Sequence, residues 1–143
     1  MRTALGLLLA AVFAVLSLFH IYWALGGRVG SGATVPVVGG KQTFNPSPAG
    51  TLLVAAALLL AMFTVLGQAE LLTAAIPKWI FRWGTCVLAL LFFLRAVGEF
   101  KLVGFFKRAS ATRFAYWDTW LFSPLCLLIA VMAFALVYTE TRR

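Results

Sequence analysis

The chain has 143 residues, 63% of them hydrophobic and only 11% charged, with a mean hydropathy of +0.99. A soluble domain carries about 25% charged residues and just under half apolar ones, so this composition excludes a water-soluble globule. The 12 Lys+Arg against 4 Asp+Glu give a net charge of +8. These basic residues sit at the ends of apolar runs rather than in a stripe, which points to lipid headgroups and away from nucleic acid.

A membrane span needs about 20 mostly apolar residues. The first such run covers approximately 4–25 and ends in "HIYWALGG". It is longer than the apolar region of a signal peptide and ends without a small-residue cleavage site, so it reads as a retained span. The connection at about 26–48 opens the stretch "GGRVGSGATVPVVGGKQTFNPSPAG", which holds seven Gly and three Pro. That is too broken for a helix, with "TVPVV" its one place for a short extended piece. Ser47 is placed to cap the second helix, with Pro48 in its first turn.

The second span covers 49–72 and is followed by "GQAELLTAAIPKWIFRWG". Pro77 marks the break there, and Trp79 and Trp83 suit the membrane–water interface. The third span, 79–98, runs into "LRAVGEFKLVGFFKR", and a short basic connection from Lys101 to Arg113 leads to the fourth, 115–138. Each run is apolar on all faces, as a helix touching both lipid and neighbours must be. The expected fold is therefore a single all-α integral membrane domain, 1–143, folded as an up-down-up-down four-helix bundle. Lipid bilayer is its first partner; a membrane-protein partner or a second copy is a further one.

Several residues have a plain packing interpretation. Cys86 and Cys126 lie inside apolar runs, lack metal-ligand spacing and behave as small hydrophobes that are able to pack together. Phe13, Phe63, Phe92, Phe93 and Phe134 read as core and lipid contacts. Gly98 and Gly104 in "VGEFKLVGF" read as close-packing positions, since no strand and glycine-rich turn precede a helix there.

Depth is more informative. In an antiparallel bundle the ends of spans one and three meet the starts of spans two and four. His20, Tyr22 and Trp23 end the first span, Asn45 precedes the second, Arg95 and Glu99 end the third, and Asp118 lies one turn into the fourth. All therefore fall in one leaflet, while the opposite half reads as almost wholly apolar. A charge in mid-membrane costs about 2.5–3.5 kcal/mol on insertion scales, so Arg95, Glu99 and Asp118 are expected to face one another. Arg95 and Glu99, at i and i+4, share a helical face, and Asp118 can accept from the guanidinium. Lys101, Lys107 and Arg108, with Asn45, form the expected rim. The alternative is an ion cluster that only ties helices together and fixes their register.

The orientation rule counts Lys and Arg in short loops. Arg2, Lys78, Arg82, Arg142 and Arg143 lie on the side of the termini, against Arg28, Lys41, Lys101, Lys107, Arg108 and Arg113 on the other. The count leaves orientation open, and the short Met1–Arg2 start favours cytoplasmic termini. As the single histidine, His20 cannot give bis-histidine haem ligation or a zinc set; no cofactor and no metal are expected.

Four motifs, "HIYWALGG", "FNPSPAGTLLVAAAL", "LRAVGEFKLVGFFKR" and "TRFAYWDTWLFSPLCLLIA", occur in this order over essentially the whole chain. In this the chain resembles an uncharacterised family of small bacterial four-helix membrane proteins, a domain of unknown function. The resemblance implies a bacterial inner-membrane protein, and its motif positions include His20, Trp23, Arg95, Glu99, Lys107 and Asp118. It implies no reaction. A broader likeness to DoxX-type membrane proteins is one of fold alone.

Three functions follow as expectations. A polar pocket (His20, Tyr22, Trp23, Arg95, Glu99, Asp118) binds a small or amphiphilic ligand or a partner. Alternatively, a membrane enzyme uses Glu99 or Asp118 as general acid/base with His20 as proton partner. Or the chain is an accessory subunit of a larger membrane complex. The absence of a nucleophile constellation or nucleotide loop favours the non-enzymatic readings.

Overall fold

The computed structural model describes residues 1–30, 34–35, 37–38, 41–43, 45–72, 75–98, 103–107 and 112–141. Four helices are long and apolar enough to cross a membrane: Arg2–Ala24, Pro48–Gln68, Lys78–Val97 and Arg113–Thr139. The first three are uninterrupted, α1 (Arg2–Ala24), α2 (Pro48–Gln68) and α3 (Lys78–Val97). The fourth span starts as α4 (Arg113–Trp117), passes through a π-helical turn at Asp118–Phe122 and continues as α5 (Ser123–Thr141). The all-helical bundle expected from the four apolar runs is therefore what forms. In the first connection β1 (Val37–Val38), within the stretch expected to be extended, pairs antiparallel with β2 (Lys41–Gln42), which lies beyond it.

Packing follows chain order. α1 lies on α2, α2 on α3, α3 on α5 and α5 back on α1, closing a four-helix ring. Its centre combines Leu9, Phe13, Leu58, Val65, Ile129 and Leu136 with buried alanines such as Ala61, Ala89 and Ala133. Inside a bilayer no hydrophobic driving force separates helix from lipid, so association relies on small residues that allow close backbone approach. Gly84 illustrates this, for a Cβ there would lie 2.8 Å from Thr64 Cγ2. Phe13 is fully buried with its ring 5.6 Å from that of Phe92, while Phe63, Phe93 and Phe134 face outward. Cys86 and Cys126 are free thiols.

The ends of the helices are set by local chemistry. At α2, Ser47 Oγ accepts from the Gly50 N–H at 3.1 Å, with Pro48 at the first helical position, as its sequence requires. The same helix stops at Gln68, short of the expected residue 72. Glu70 adopts φ 60°, Glu70 N donates to Gly67 O and Leu71 N to Leu66 O, both at 3.0 Å. This pair of reversed bonds is a Schellman termination, here with a glutamate in the left-handed position that glycine usually takes. The apolar Leu71 and Leu72 disguise that stop in the sequence.

The end of the bundle carrying the termini is less apolar than expected. Arg2 Nε and Nη2 both donate to the Gln68 carbonyl, the former at 3.0 Å. Arg2 also pairs with Glu70 at 3.5 Å, and Lys78 Nζ pairs with Glu70 at 2.6 Å. The chain reaches this end by the α2 termination just described, which turns the Glu70 carboxylate towards both cations.

Candidate functional site

At the opposite end, the apolar sequence of the fourth span contains one proline, Pro124. Proline has no N–H to offer the carbonyl four residues back, Trp120, and its ring crowds that oxygen. The helix accommodates this with the π-turn immediately before it, in which Ser123 N–H reaches the Asp118 carbonyl five residues back. The turn brings Ser123 and Asp118 together a second time: Ser123 Oγ donates to Asp118 Oδ2 at 3.3 Å. Both side chains are fully buried.

The third connection closes over this carboxylate. Gly98 ends α3 at φ 83° and Gly104 follows at φ 91°, both in the left-handed region. Their backbones are in such close contact that a Cβ on Gly98 would overlap Val103 O, and one on Gly104 would overlap Val97 O. Phe105 N donates to Ala96 O at 2.9 Å, so the chain folds back onto the last turn of α3. Here glycine is required for both conformation and space, and its role in close packing is seen directly.

Asp118 then collects four donors. Oδ1 accepts from Arg95 Nη2 at 2.8 Å; Oδ2 accepts from Gly104 N at 2.8 Å, Lys107 Nζ at 3.0 Å and Ser123 Oγ. Three of these four donors crowd onto Oδ2, while Oδ1 accepts one bond and has room for a second. Lys107 is saturated: its ammonium also donates to Thr119 Oγ1 at 2.6 Å and Gly104 O at 3.1 Å, matching three N–H groups to three acceptors. Lys107 Nζ sits at the carboxylate with its side chain 5% exposed, deep in the cluster rather than on the rim.

Arg95 differs from both. Its side chain is 35% exposed. Of its five N–H groups, the Nη2–Asp118 bond is the one that finds an acceptor among the described residues. Nη1 is buried without a partner. Because Oδ2 is occupied by Gly104, Lys107 and Ser123, Asp118 meets the guanidinium through one oxygen instead of two. Among the described residues of this cluster two cations face one carboxylate.

The remaining sequence candidates separate into two groups. Glu99, Lys101 and Arg108 lie outside the described residues. His20, Tyr22, Trp23 and Asn45 are described, and no hydrogen bond or ion pair joins them to Arg95, Lys107 or Asp118 among the described residues. His20 Nδ1 lies 2.7 Å from the Leu16 carbonyl, which can only accept, so that nitrogen carries the proton. Its ring meets the edge of Trp23 at 5.2 Å, and Trp23 Nε1 donates to Val29 O at 2.8 Å. Tyr22 and Asn45 are exposed. The side chains of His20 and Trp23 are thus engaged locally at the end of α1.

Thr119, Ser123 and the Gly104 N–H belong to the cluster and were not singled out from the sequence. Hydroxyls in an apolar helix commonly bond their own backbone, as Thr119 also does to Ala115 O at 3.0 Å. The signal that was available is Pro124, whose cost to the helix marks the turn that turns Ser123 towards Asp118. Two apolar grooves occur elsewhere. One of about 460 Å³ runs between α3 and α5 from Cys86 to Phe134, and one of about 440 Å³ lies beside Phe19 and Tyr22. Neither is lined by Arg95, Lys107 or Asp118.

Four apolar spans around a buried ion cluster define a small multi-pass membrane protein. Residues 3–133 match the model of the family described as "Protein of unknown function (DUF3995)", and the chain belongs to that family. Searches of curated proteins and of solved structures return no match.

Proposed function

We propose that this is a non-enzymatic protein of the bacterial inner membrane whose polar cluster at the α3–α4 end binds a small or amphiphilic ligand. The carrying observation is the contrast inside that cluster. Asp118 is fully buried and Lys107 has all three N–H groups engaged, whereas Arg95 is partly exposed and keeps most of its donors. Intramembrane ionisable groups mark functional sites by default, and among the described charged residues of this cluster the arginine is the one with donors to offer a ligand. Full burial of Asp118 argues against acid–base catalysis by it, because a general base needs to come within hydrogen-bond reach of the proton it takes.

The resemblance to bacterial families supports the compartment, and Arg2 in the short N-terminal segment supports cytoplasmic termini. A reporter fused to the C-terminus checks this orientation; activity only on the periplasmic side contradicts it. Native mass spectrometry of the protein released from membranes tests the binding reading. A retained non-protein mass that disappears in Arg95→Gln is the expected result. A folded wild type carrying no such mass assigns the cluster to structure alone. Co-purification of a membrane protein in its place favours an accessory subunit.

A further inference from the structure

The ligand class can be read from the geometry of Arg95, granted that this end binds a ligand at all. A guanidinium presents a planar fork of N–H groups matched to two-oxygen anions, and it stays charged at every pH a cell meets. In this cluster the preferred bidentate acceptor is missing. Asp118 gives Arg95 a single oxygen at 2.8 Å because its other oxygen is held by Gly104, Lys107 and Ser123. Among the described residues, the two cations and one carboxylate carry one net positive charge in a largely apolar surrounding. A buried N–H of a charged group without an acceptor is costly, and Nη1 is in that condition. The side chain as a whole is 35% exposed, so Arg95 is open to its surroundings although Nη1 itself is covered.

Depth narrows the anion further. Arg95 lies in the last turn of α3 (Lys78–Val97), two residues or about 3 Å along the axis from its end. The end of a membrane-spanning helix approaches lipid headgroups, where phosphate is the abundant oxyanion. Arg28 and Lys41, exposed at the same end, add attraction for negative charge. Asp118 thus acts as a positioning residue: it fixes one edge of the guanidinium and leaves the other to the ligand.

We infer that Arg95 is an oxyanion-binding residue and that the ligand it takes at this end is a phosphate group, borne by an anionic lipid or free. Lysine at position 95 would keep the charge and one bond to Asp118 but would lack the second edge of the fork. Arg95→Lys is therefore the decisive variant, with Arg95→Gln beside it and Arg113→Gln as a charge-matched control outside the cluster.

The full chain is placed in nanodiscs of phosphatidylcholine with or without phosphatidylglycerol, and bound lipid is counted by native mass spectrometry. Inorganic phosphate is added separately to phosphatidylcholine discs and its binding followed by phosphorus NMR. The expected result is retention of phosphatidylglycerol, or binding of inorganic phosphate, that falls about tenfold or more in Arg95→Lys, the worth of one charge-assisted hydrogen bond. Arg113→Gln should match the wild type. The first arm responding identifies a lipid headgroup, the second a free anion. Equal retention in wild type and a folded Arg95→Lys overturns the inference. So does an Arg95-dependent ligand that is electrically neutral, although the binding reading then survives. If neither arm nor the membrane-extracted protein holds any ligand, both fall together.

Discussion

The two ends of the bundle use the same three charges differently. At one end Glu70 lies between Arg2 and Lys78, and at the other Asp118 lies between Arg95 and Lys107. The Glu70 side chain is 44% exposed and that of Lys78 77%, whereas those of Asp118 and Lys107 are 0% and 5%. Water screens the Glu70–Lys78 pair, which contributes at most about 1 kcal/mol, while Arg2 is itself largely buried. Asp118 and Lys107 are dehydrated, and removing one strands the other. Burial, and not the number of ion pairs, decides what each end does.

This contrast gives an ordered set of expectations for unfolding measured in detergent or bicelles. Asp118→Ala should have the largest effect, about 3–5 kcal/mol, because it leaves the buried Lys107 ammonium without its counter-charge and the Gly104 N–H without an acceptor. A loss below about 1 kcal/mol would place Asp118 on a par with Glu70 and break the comparison. Gly104→Ala should cost about 1–3 kcal/mol through its left-handed backbone, and more if the strand of chain against Val97 cannot shift; equilibrium unfolding reads this directly. Ser123→Ala removes one of four donors and should cost about 0.5–1.5 kcal/mol, leaving the rest of the cluster in place. Glu70→Gly should be the mildest. It gives up exposed pairs but relieves a glutamate held at φ 60°, so stability should change by no more than about 1 kcal/mol in either direction.

The bundle was legible because its signal is spread over four runs of about 20 residues, which no local detail can overrule. The Arg95–Asp118 pair was legible too, since antiparallel topology alone puts the end of the third span beside the start of the fourth. Lys107 was harder. Its position in the sequence suggests a rim, but two glycines with positive φ fold the connection inward and carry the ammonium to the carboxylate. His20 shows the opposite limit: hydropathy gives the depth of a residue, while its direction around the helix depends on which neighbours pack there. The termination of α2 at Gln68 was hidden because a left-handed glutamate followed by two leucines carries none of the composition of a turn.

The most direct test of the central claim is a pair of double-mutant cycles, Asp118→Ala with Lys107→Ala and Glu70→Ala with Lys78→Ala, each read from reversible unfolding in the same bicelles. A coupling of about 2 kcal/mol or more is expected between Asp118 and Lys107, against less than about 1 kcal/mol between Glu70 and Lys78. Equal couplings at the two ends would contradict it.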